Sequence, residues 1–124
     1  MYYVLLTIFG TLGAVTRYAL SILIDMAQFP LATLTVNLLG CFFLASITYF
    51  LLQMPALPKI FVSAIGTGFI GSFTTFSTFN VESIELLRIK NYKTFFCYIG
   101  ASYILGIVAA FVGIVMGDLI KSGF

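Results

Sequence analysis

The chain has 124 residues, of which 61% are hydrophobic and only 8% are charged, against about 25% charged residues in an ordinary soluble domain. Six basic and four acidic residues cannot cover the surface of a soluble domain, and a net charge of +2 is too small for a surface that binds nucleic-acid phosphates. The absence of His also leaves few residues for a soft metal site. The composition therefore argues for an integral membrane protein and against a soluble enzyme or a nucleic-acid binder.

Four apolar stretches are each long enough to cross a bilayer as a helix, which needs about 20 residues. We predict one all-α transmembrane domain over residues 1–124, with helices at 2–24, 31–54, 60–87 and 94–120. The connections between them are short. The first stretch lacks a basic start and a cleavage pattern, so we expect a retained helix and not a signal peptide.

The positive charges divide almost evenly between the two sides of such a bundle. If both termini are inside, Lys59 and Lys121 are inside; in the opposite orientation Arg88, Lys90 and Lys93 are inside. The positive-inside rule then distinguishes the two orientations by only one or two charges. Insertion in both orientations, which permits an antiparallel homodimer, and a single orientation both remain open.

The third stretch carries the most unusual pattern. Six of the ten residues at 71–80 have a hydroxyl or amide side chain, and Gly66 and Gly68 come just before them. Such side chains compete for backbone hydrogen bonds, so we predict a helix break in mid-membrane near 71–76. The exposed carbonyls of a break suit a cation such as Na⁺, whereas the start of the next half-helix suits an anion. The alternative is a continuous helix whose hydroxyls bond to the preceding turn.

Further polar side chains lie at membrane depth, where each needs a partner. Thr33 and Asn37 share one face of the second helix, and Tyr98 and Ser102 share one face of the fourth. They form either a ladder of donors for an anion or ordinary hydrogen bonds between helices. Arg17 is either the positive mouth of an anion path or an interfacial anchor.

Two aromatic residues and one acidic residue of the third stretch are also candidates. Phe76 and Phe79 share a helix face, and the positive edges of their rings can meet a small anion, although simple packing is the alternative. Glu82 lies closer to the apolar zone than Glu85, so it is the better candidate for a functional carboxylate.

Three motifs resemble one protein family. The run Gly10–Tyr18 is similar to the pattern Gly-x-x-Gly-Ala-x-x-Arg-Tyr, and the run Thr33–Gly40 to Thr-Leu-x-Val-Asn-x-x-Gly. The run Gly66–Phe79 ends in Thr-Thr-Phe-Ser-Thr-Phe, which is the most specific of the three. On these residues the chain resembles the bacterial fluoride channels of the Fluc (CrcB) family.

The resemblance implies a multi-pass protein of the bacterial cell membrane that exports fluoride passively and relieves fluoride toxicity. It implies an antiparallel dimer, with a second copy or a paralogous subunit, and two fluoride pathways. A structural Na⁺ at the dimer centre would bind the backbone carbonyls of Gly71 and Thr74, and Arg17 would lie in the vestibule. The implied pathway residues are Thr33, Asn37, Phe76, Ser77, Thr78, Phe79, Glu82, Tyr98 and Ser102.

Two other functions remain as alternatives. A small four-helix multidrug or cation exporter needs a carboxylate within the first helix, but that helix carries Arg17 and no acidic residue before Asp25. A non-transporting membrane assembly subunit would explain the hydrophobicity but not the polar run of the third helix. No catalytic triad, pair of facing acids or phosphate-binding loop is present, so we expect no enzyme activity, no organic cofactor and no nucleic-acid partner.

Overall fold

In the computed structural model, which describes residues 1–24, 28–51 and 53–123, the chain is all-helical. Helix α1 spans Tyr2–Leu23 and helix α2 spans Leu31–Leu51. The predicted first connection includes residues 25–27, the predicted second helix includes residue 52, and the chain ends at residue 124; these residues lie outside the described part.

The third apolar stretch consists of two helical pieces. The first is a continuous run of α3 (Lys59–Ser63), a π-helical segment π1 (Ala64–Ile70) and α4 (Gly71–Phe73). The second is α5 (Ser77–Arg88). Three non-helical residues separate the two pieces, and Thr74 has an extended backbone with φ −78° and ψ 157°. The third stretch is therefore interrupted close to its middle residue.

Helix α6 spans Tyr92–Ser122 and begins two residues before the predicted start. The earlier start has a local cause, because the side chain of Asn91 accepts a hydrogen bond from the Thr94 amide at 3.3 Å and caps the helix. Among the described residues, four helical stretches are long and apolar enough to cross a membrane, with 59–88 counted as one.

Small residues allow the helices to pack closely. Helix α2 packs along α6, where a Cβ atom on Gly113 would overlap the carbonyl oxygen of Phe42. Helix α1 packs on π1, where a Cβ atom on Gly13 would overlap the carbonyl oxygen of Phe69. Close backbone approach of this kind is how helices associate in a membrane, where lipid removes the hydrophobic drive between them.

A small buried core lies where α2, α5 and α6 meet. Its members are Leu34, Phe79, Leu86 and Tyr98. Many apolar side chains elsewhere on the surface are exposed; Phe111 on α6, for example, is 65% exposed. A surface of that kind suits lipid or another chain and does not suit water. The core thus holds Phe79 and Tyr98, two of the predicted site residues, in fixed positions.

Candidate functional site

The break between α4 and α5 is the centre of the candidate site. At the end of α4, the amide and the hydroxyl of Thr74 both donate to the carbonyl of Ile70, each at 3.0 Å. The next residue, Thr75, leaves the helix but is buried, with 8% of its surface exposed. Buried backbone groups that have left a helix need other hydrogen-bond partners. The break is therefore stable only if another element supplies them.

Asn37 on α2 supplies those partners. Its side-chain Nδ2 donates to the carbonyl of Thr75, and its Oδ1 accepts from the Thr75 amide, both at 2.9 Å. The amide thus satisfies both backbone groups of one buried residue. An asparagine Nδ2 carries two hydrogens, so one donor of Asn37 is left for a further acceptor beside the break.

The hydroxyl of Thr75 caps the start of α5. Its Oγ1 accepts from the Thr78 amide at 3.2 Å and donates to the Thr78 Oγ1 at 3.0 Å. Ser77 Oγ lies 3.4 Å from the same Thr75 oxygen. Ser77 and Thr78 are exposed. The predicted pathway hydroxyls of Ser77 and Thr78 therefore stand together at the N-terminus of a half-helix, where partial positive charge collects.

Arg17 of α1 reaches the same break from the other side. Its Nη1 donates to the carbonyl of Thr74 at 3.4 Å. Arg17 also lines a cavity of about 230 Å³, together with Tyr18, Ser21, Ala32, Thr33, Val36, Thr75 and Thr78. This cavity therefore combines one positive charge with several hydroxyl groups. Among the described residues no carboxylate lines it.

Glu82 on α5 is held by two hydroxyl groups. Thr33 Oγ1 donates to Glu82 Oε1 at 2.9 Å, and Tyr98 OH donates to Glu82 Oε2 at 2.7 Å. The Tyr98 side chain is fully buried. Hydrogen bonds to a charged acceptor are stronger than neutral ones. The structure thus brings together three predicted site residues from three different helices.

Glu82 also lines a second, larger cavity. That cavity, of about 700 Å³, is lined by Gln28, Phe29, Pro30, Glu82, Glu85, Leu86, Ile89, Asn91 and Thr94. Its wall contains two carboxylates, whereas the Arg17 cavity contains a guanidinium. The two cavities therefore differ in charge although Thr33, which bonds to Glu82, lines the smaller one.

Phe76 and Phe79 differ strongly in their surroundings. Their rings stack with centroids 6.1 Å apart and planes 24° apart. The Phe79 ring is 8% exposed and also lies 5.1 Å from the Tyr98 ring, whereas Phe76 is 71% exposed. One ring of the pair is thus a core residue, and the other presents its surface outside the chain.

Gly71 and Thr74, the predicted carbonyl ligands of Na⁺, both line one groove. This groove holds about 370 Å³ and is lined by Asn37, Gly40, Cys41, Leu44, Gly66, Ile70, Gly71, Thr74, Thr75 and Phe76. In the described part of the chain, no three acidic or cysteine residues come together as metal ligands. A cation here would have to bind neutral oxygens, which a helix break provides.

One predicted pathway residue is not joined to the others. Ser102, one turn after Tyr98 on α6, is half-buried, and the structure shows no side-chain hydrogen bond for it among the described residues. By contrast, Thr75 is central to the break but was not among the predicted site residues. A Thr just before a helix is a common cap that accepts from the amide three residues later, and this preference could have revealed Thr75.

Comparison with known proteins extends over nearly the whole chain. Residues 4–114 match the family described as "CrcB-like protein, Camphor Resistance (CrcB)". This match includes Asn37, the break and most of α6.

Individual relatives agree with the family match. A Bacillus cereus protein named "Fluoride-specific ion channel FluC 1" is 42% identical over 121 residues, covering 95% of this chain and 84% of the relative. A protein of that name from Bacillus anthracis is also 42% identical, covering 95% of this chain and 88% of the relative. "Fluoride-specific ion channel FluC 2" from Listeria innocua is 45% identical over 108 residues, covering 87% of this chain and 84% of the relative. These names describe ion channels and not enzymes, in agreement with the expectation from the sequence.

Proposed function

Because the chain belongs to the CrcB family, we propose that it is a fluoride-selective channel of the bacterial cell membrane, which exports fluoride passively and so relieves fluoride toxicity. The chain itself is a multi-pass membrane protein with four apolar helices. One observation carries the proposal beyond the family match. Phe79 lies four residues after Thr75 of the break, and its ring centroid is 5.1 Å from that of Tyr98, which donates to Glu82.

Fluoride conduction needs groups that can replace the water around a small, strongly hydrated anion. The hydroxyls of Ser77 and Thr78 and the second Nδ2 hydrogen of Asn37 are donors beside the break. The ring edges of Phe76 and Phe79 carry partial positive charge and add weak attraction. None of these groups carries a full charge, so binding is weak at each step and the ion can leave.

Glu82 controls two further donors in this proposal. Thr33 and Tyr98 each have one hydroxyl hydrogen, and both donate it to the Glu82 carboxylate. An anion that arrives here must therefore take these hydrogens from Glu82. The exchange leaves the Glu82 carboxylate without these two donors and close to a second anion. Both effects cost free energy and offset the attraction of the hydroxyls for fluoride, so the ion is not trapped. Ser102, one turn further along α6, would extend this polar track.

The cavity that Arg17 lines would be the vestibule of the pathway. This cavity, of about 230 Å³, meets the break at Thr75 and Thr78. A cationic group in a cleft with apolar walls raises the local concentration of anions. In this role Arg17 attracts fluoride and leaves the selective contacts to the residues beyond it.

An antiparallel dimer would complete the pathway, with a second copy or a paralogous chain as the partner. The exposed Phe76 ring, continuous with the buried Phe79 ring, supports this part of the proposal. The groove beside it is largely apolar and contains the exposed Gly71. A second chain would cover the groove and bring its own break beside this one.

A structural Na⁺ at the dimer centre would bind the carbonyls of Gly71 and Thr74 from both chains. A carbonyl oxygen has two lone pairs, so the Thr74 oxygen can accept from Arg17 and still face a cation. These oxygens are hard neutral ligands, which fit Na⁺. When bound, Na⁺ would supply a fixed positive charge at the break and would hold the two chains together.

The alternative functions lack comparable support. Within the described helix α1, Arg17 is the only charged residue, so a proton-coupled exporter would lack its carboxylate there. The hydrogen bonds of Asn37, Glu82 and Tyr98 would stabilise an assembly subunit as well, but such a subunit would not need the further donors that stand beside the break at Ser77 and Thr78.

The proposal is tested by reconstituting the purified chain alone into liposomes loaded with potassium fluoride or potassium chloride. Efflux is started with a potassium ionophore, which lets K⁺ leave with the anion and keeps the charge balanced, and it is followed with ion-selective electrodes. We expect fast fluoride release and no chloride release, with protein-free liposomes as the control. If folded protein releases no fluoride, the experiment is repeated with a paralogous subunit from the same genome. Release only with the paralogue would identify a heterodimer, and no release in either case would refute the channel.

A further inference from the structure

Tyr103 of α6 stands next to the Phe79 ring but belongs to none of the motifs discussed above. The two ring centroids are 6.4 Å apart and the planes are 86° apart, an edge-to-face contact. Phe79 also contacts the Tyr98 ring, with centroids 5.1 Å apart. Two tyrosines of α6 therefore contact the buried Phe79 ring, and together they restrict its orientation.

The hydroxyl group of Tyr103 is in an unusual position for a membrane helix. Tyr103 is 61% exposed, and the structure shows no hydrogen bond for its hydroxyl among the described residues. It lies eleven residues after the start of α6 at Tyr92, which is about three helical turns. Tyrosines of membrane helices prefer the two interfaces, where their hydroxyl reaches water. In hydrocarbon an unpaired hydroxyl is costly, so this group needs a polar neighbour.

The position of Tyr103 beside Phe79 indicates that the polar neighbour of its hydroxyl is the passing anion. Its ring touches Phe79, and Phe79 lies in the first turn of α5, directly after the break that Asn37 and Thr75 hold. The Tyr103 hydroxyl is thus a donor close to the level at which the proposed anion passes the Phe79 ring. Unlike the Tyr98 hydroxyl, it is not committed to Glu82.

We propose that Tyr103 is a further residue of the fluoride pathway: its ring orients Phe79, and its hydroxyl donates a hydrogen bond to the anion beside that ring. This inference rests on the proposed channel function. The ring and the hydroxyl have separate tasks, so two substitutions distinguish them. Tyr103→Phe removes only the donor, whereas Tyr103→Leu removes the donor and the edge-to-face contact.

The test measures fluoride and chloride efflux from liposomes for the wild type, Tyr103→Phe, Tyr103→Leu and the control Tyr92→Phe. Tyr92 is an exposed tyrosine at the start of the same helix. Loss of one donor that acts on the passing ion is expected to slow fluoride by about tenfold. Tyr103→Leu should be slower still, and Tyr92→Phe should match the wild type.

Each outcome decides the assignment. Wild-type fluoride flux in Tyr103→Phe would overturn it, because the hydroxyl would then have no part in conduction. A Tyr103→Phe protein that elutes as a smaller species than the wild type on size exclusion would also overturn it, because the hydroxyl would then serve an interface between chains. A wild type that releases chloride but no fluoride refutes the fluoride channel itself and with it the role of Tyr103. Slow fluoride release from a Tyr103→Phe protein of wild-type size supports the assignment.

Discussion

The side-chain amide of Asn37 on α2 forms two 2.9 Å hydrogen bonds with the backbone of Thr75, one to its carbonyl and one from its amide. These bonds replace the ones that Thr75 would make in a continuous helix. The residue that is expected to face the anion therefore also holds the break open. The Asn37 side chain thus both maintains the geometry of the break and contributes a donor for the anion. A substitution of Asn37 should therefore affect both the stability of the break and anion conduction.

Substitution of Asn37 by Ala is expected to lower both stability and conduction. It leaves the buried amide and carbonyl of Thr75 without partners, which costs about 1–3 kcal/mol for each group. Thermal unfolding in detergent measures the first effect, and liposome efflux measures the second. Asn80→Ala is the matched control, because Asn80 is exposed on α5. Wild-type flux in Asn37→Ala would remove Asn37 from the pathway.

The two phenylalanines are expected to respond differently to substitution by Leu. Phe79 is buried against Tyr98, so Phe79→Leu should lower the melting temperature by a few degrees, because it loses about 1–2 kcal/mol of packing. Phe76 is 71% exposed, so Phe76→Leu should leave the unfolding of the separated chain almost unchanged. Both should slow fluoride efflux if both rings line the pathway. Equal destabilisation by the two substitutions would contradict this assignment of their environments.

The bond between Tyr98 and Glu82 is expected to show energetic coupling in a double-mutant cycle. Tyr98→Phe, Glu82→Gln and the double variant should give a coupling energy of about 1–3 kcal/mol in unfolding, because a 2.7 Å bond to a carboxylate is lost. Both single variants should also slow efflux. Glu85→Gln is the control, since Glu85 is exposed on the same helix. Strict additivity of the two substitutions would show that this bond contributes nothing.

Substitutions of two glycines by Ala compare a position where two helices are in close contact with a position that has free space around it. Gly13→Ala should destabilise the protein, because the added Cβ overlaps the Phe69 carbonyl and forces α1 away from π1. Gly100→Ala should be neutral or stabilise by up to about 1 kcal/mol, because nothing lies within 4 Å of that Cβ and Ala favours helix. Melting temperatures of the two variants provide the comparison. A Gly13→Ala protein as stable as Gly100→Ala would argue against the α1–π1 packing.

A substitution of Gly71 distinguishes the formation of the dimer from the folding of a single chain. The nearest atom to a Cβ at Gly71 is the Gly66 carbonyl oxygen at 4.0 Å, so a single chain has room for a side chain there. We expect Gly71→Val to keep the helical circular dichroism of the wild type but to lose dimerisation, measured by size exclusion, and fluoride flux. Normal dimerisation and flux in this variant would count against a central site built by Gly71.

Hydropathy along the sequence by itself determined the all-α class and the four membrane-spanning stretches, because each helix satisfies its own backbone hydrogen bonds within about 20 residues. The polar run at 71–80 likewise pointed to the part of the chain that carries the site. Such properties depend on neighbours in sequence. The π-helical segment 64–70 was not predicted, because its form depends on how α1 packs against it at Gly13 and Gly68.

Only the tertiary structure decided which polar side chains pair. Asn37 and Thr75 are 38 residues apart, and Thr33 and Glu82 are 49 apart. No periodicity links residues at such distances, because the pairing depends on the register and rotation with which α2 packs beside α5. The same packing buries Phe79 and leaves Phe76 exposed, although the sequence pattern places both rings on the same helix face. Each side chain's chemistry can be read from the sequence, but its partner depends on how the helices pack.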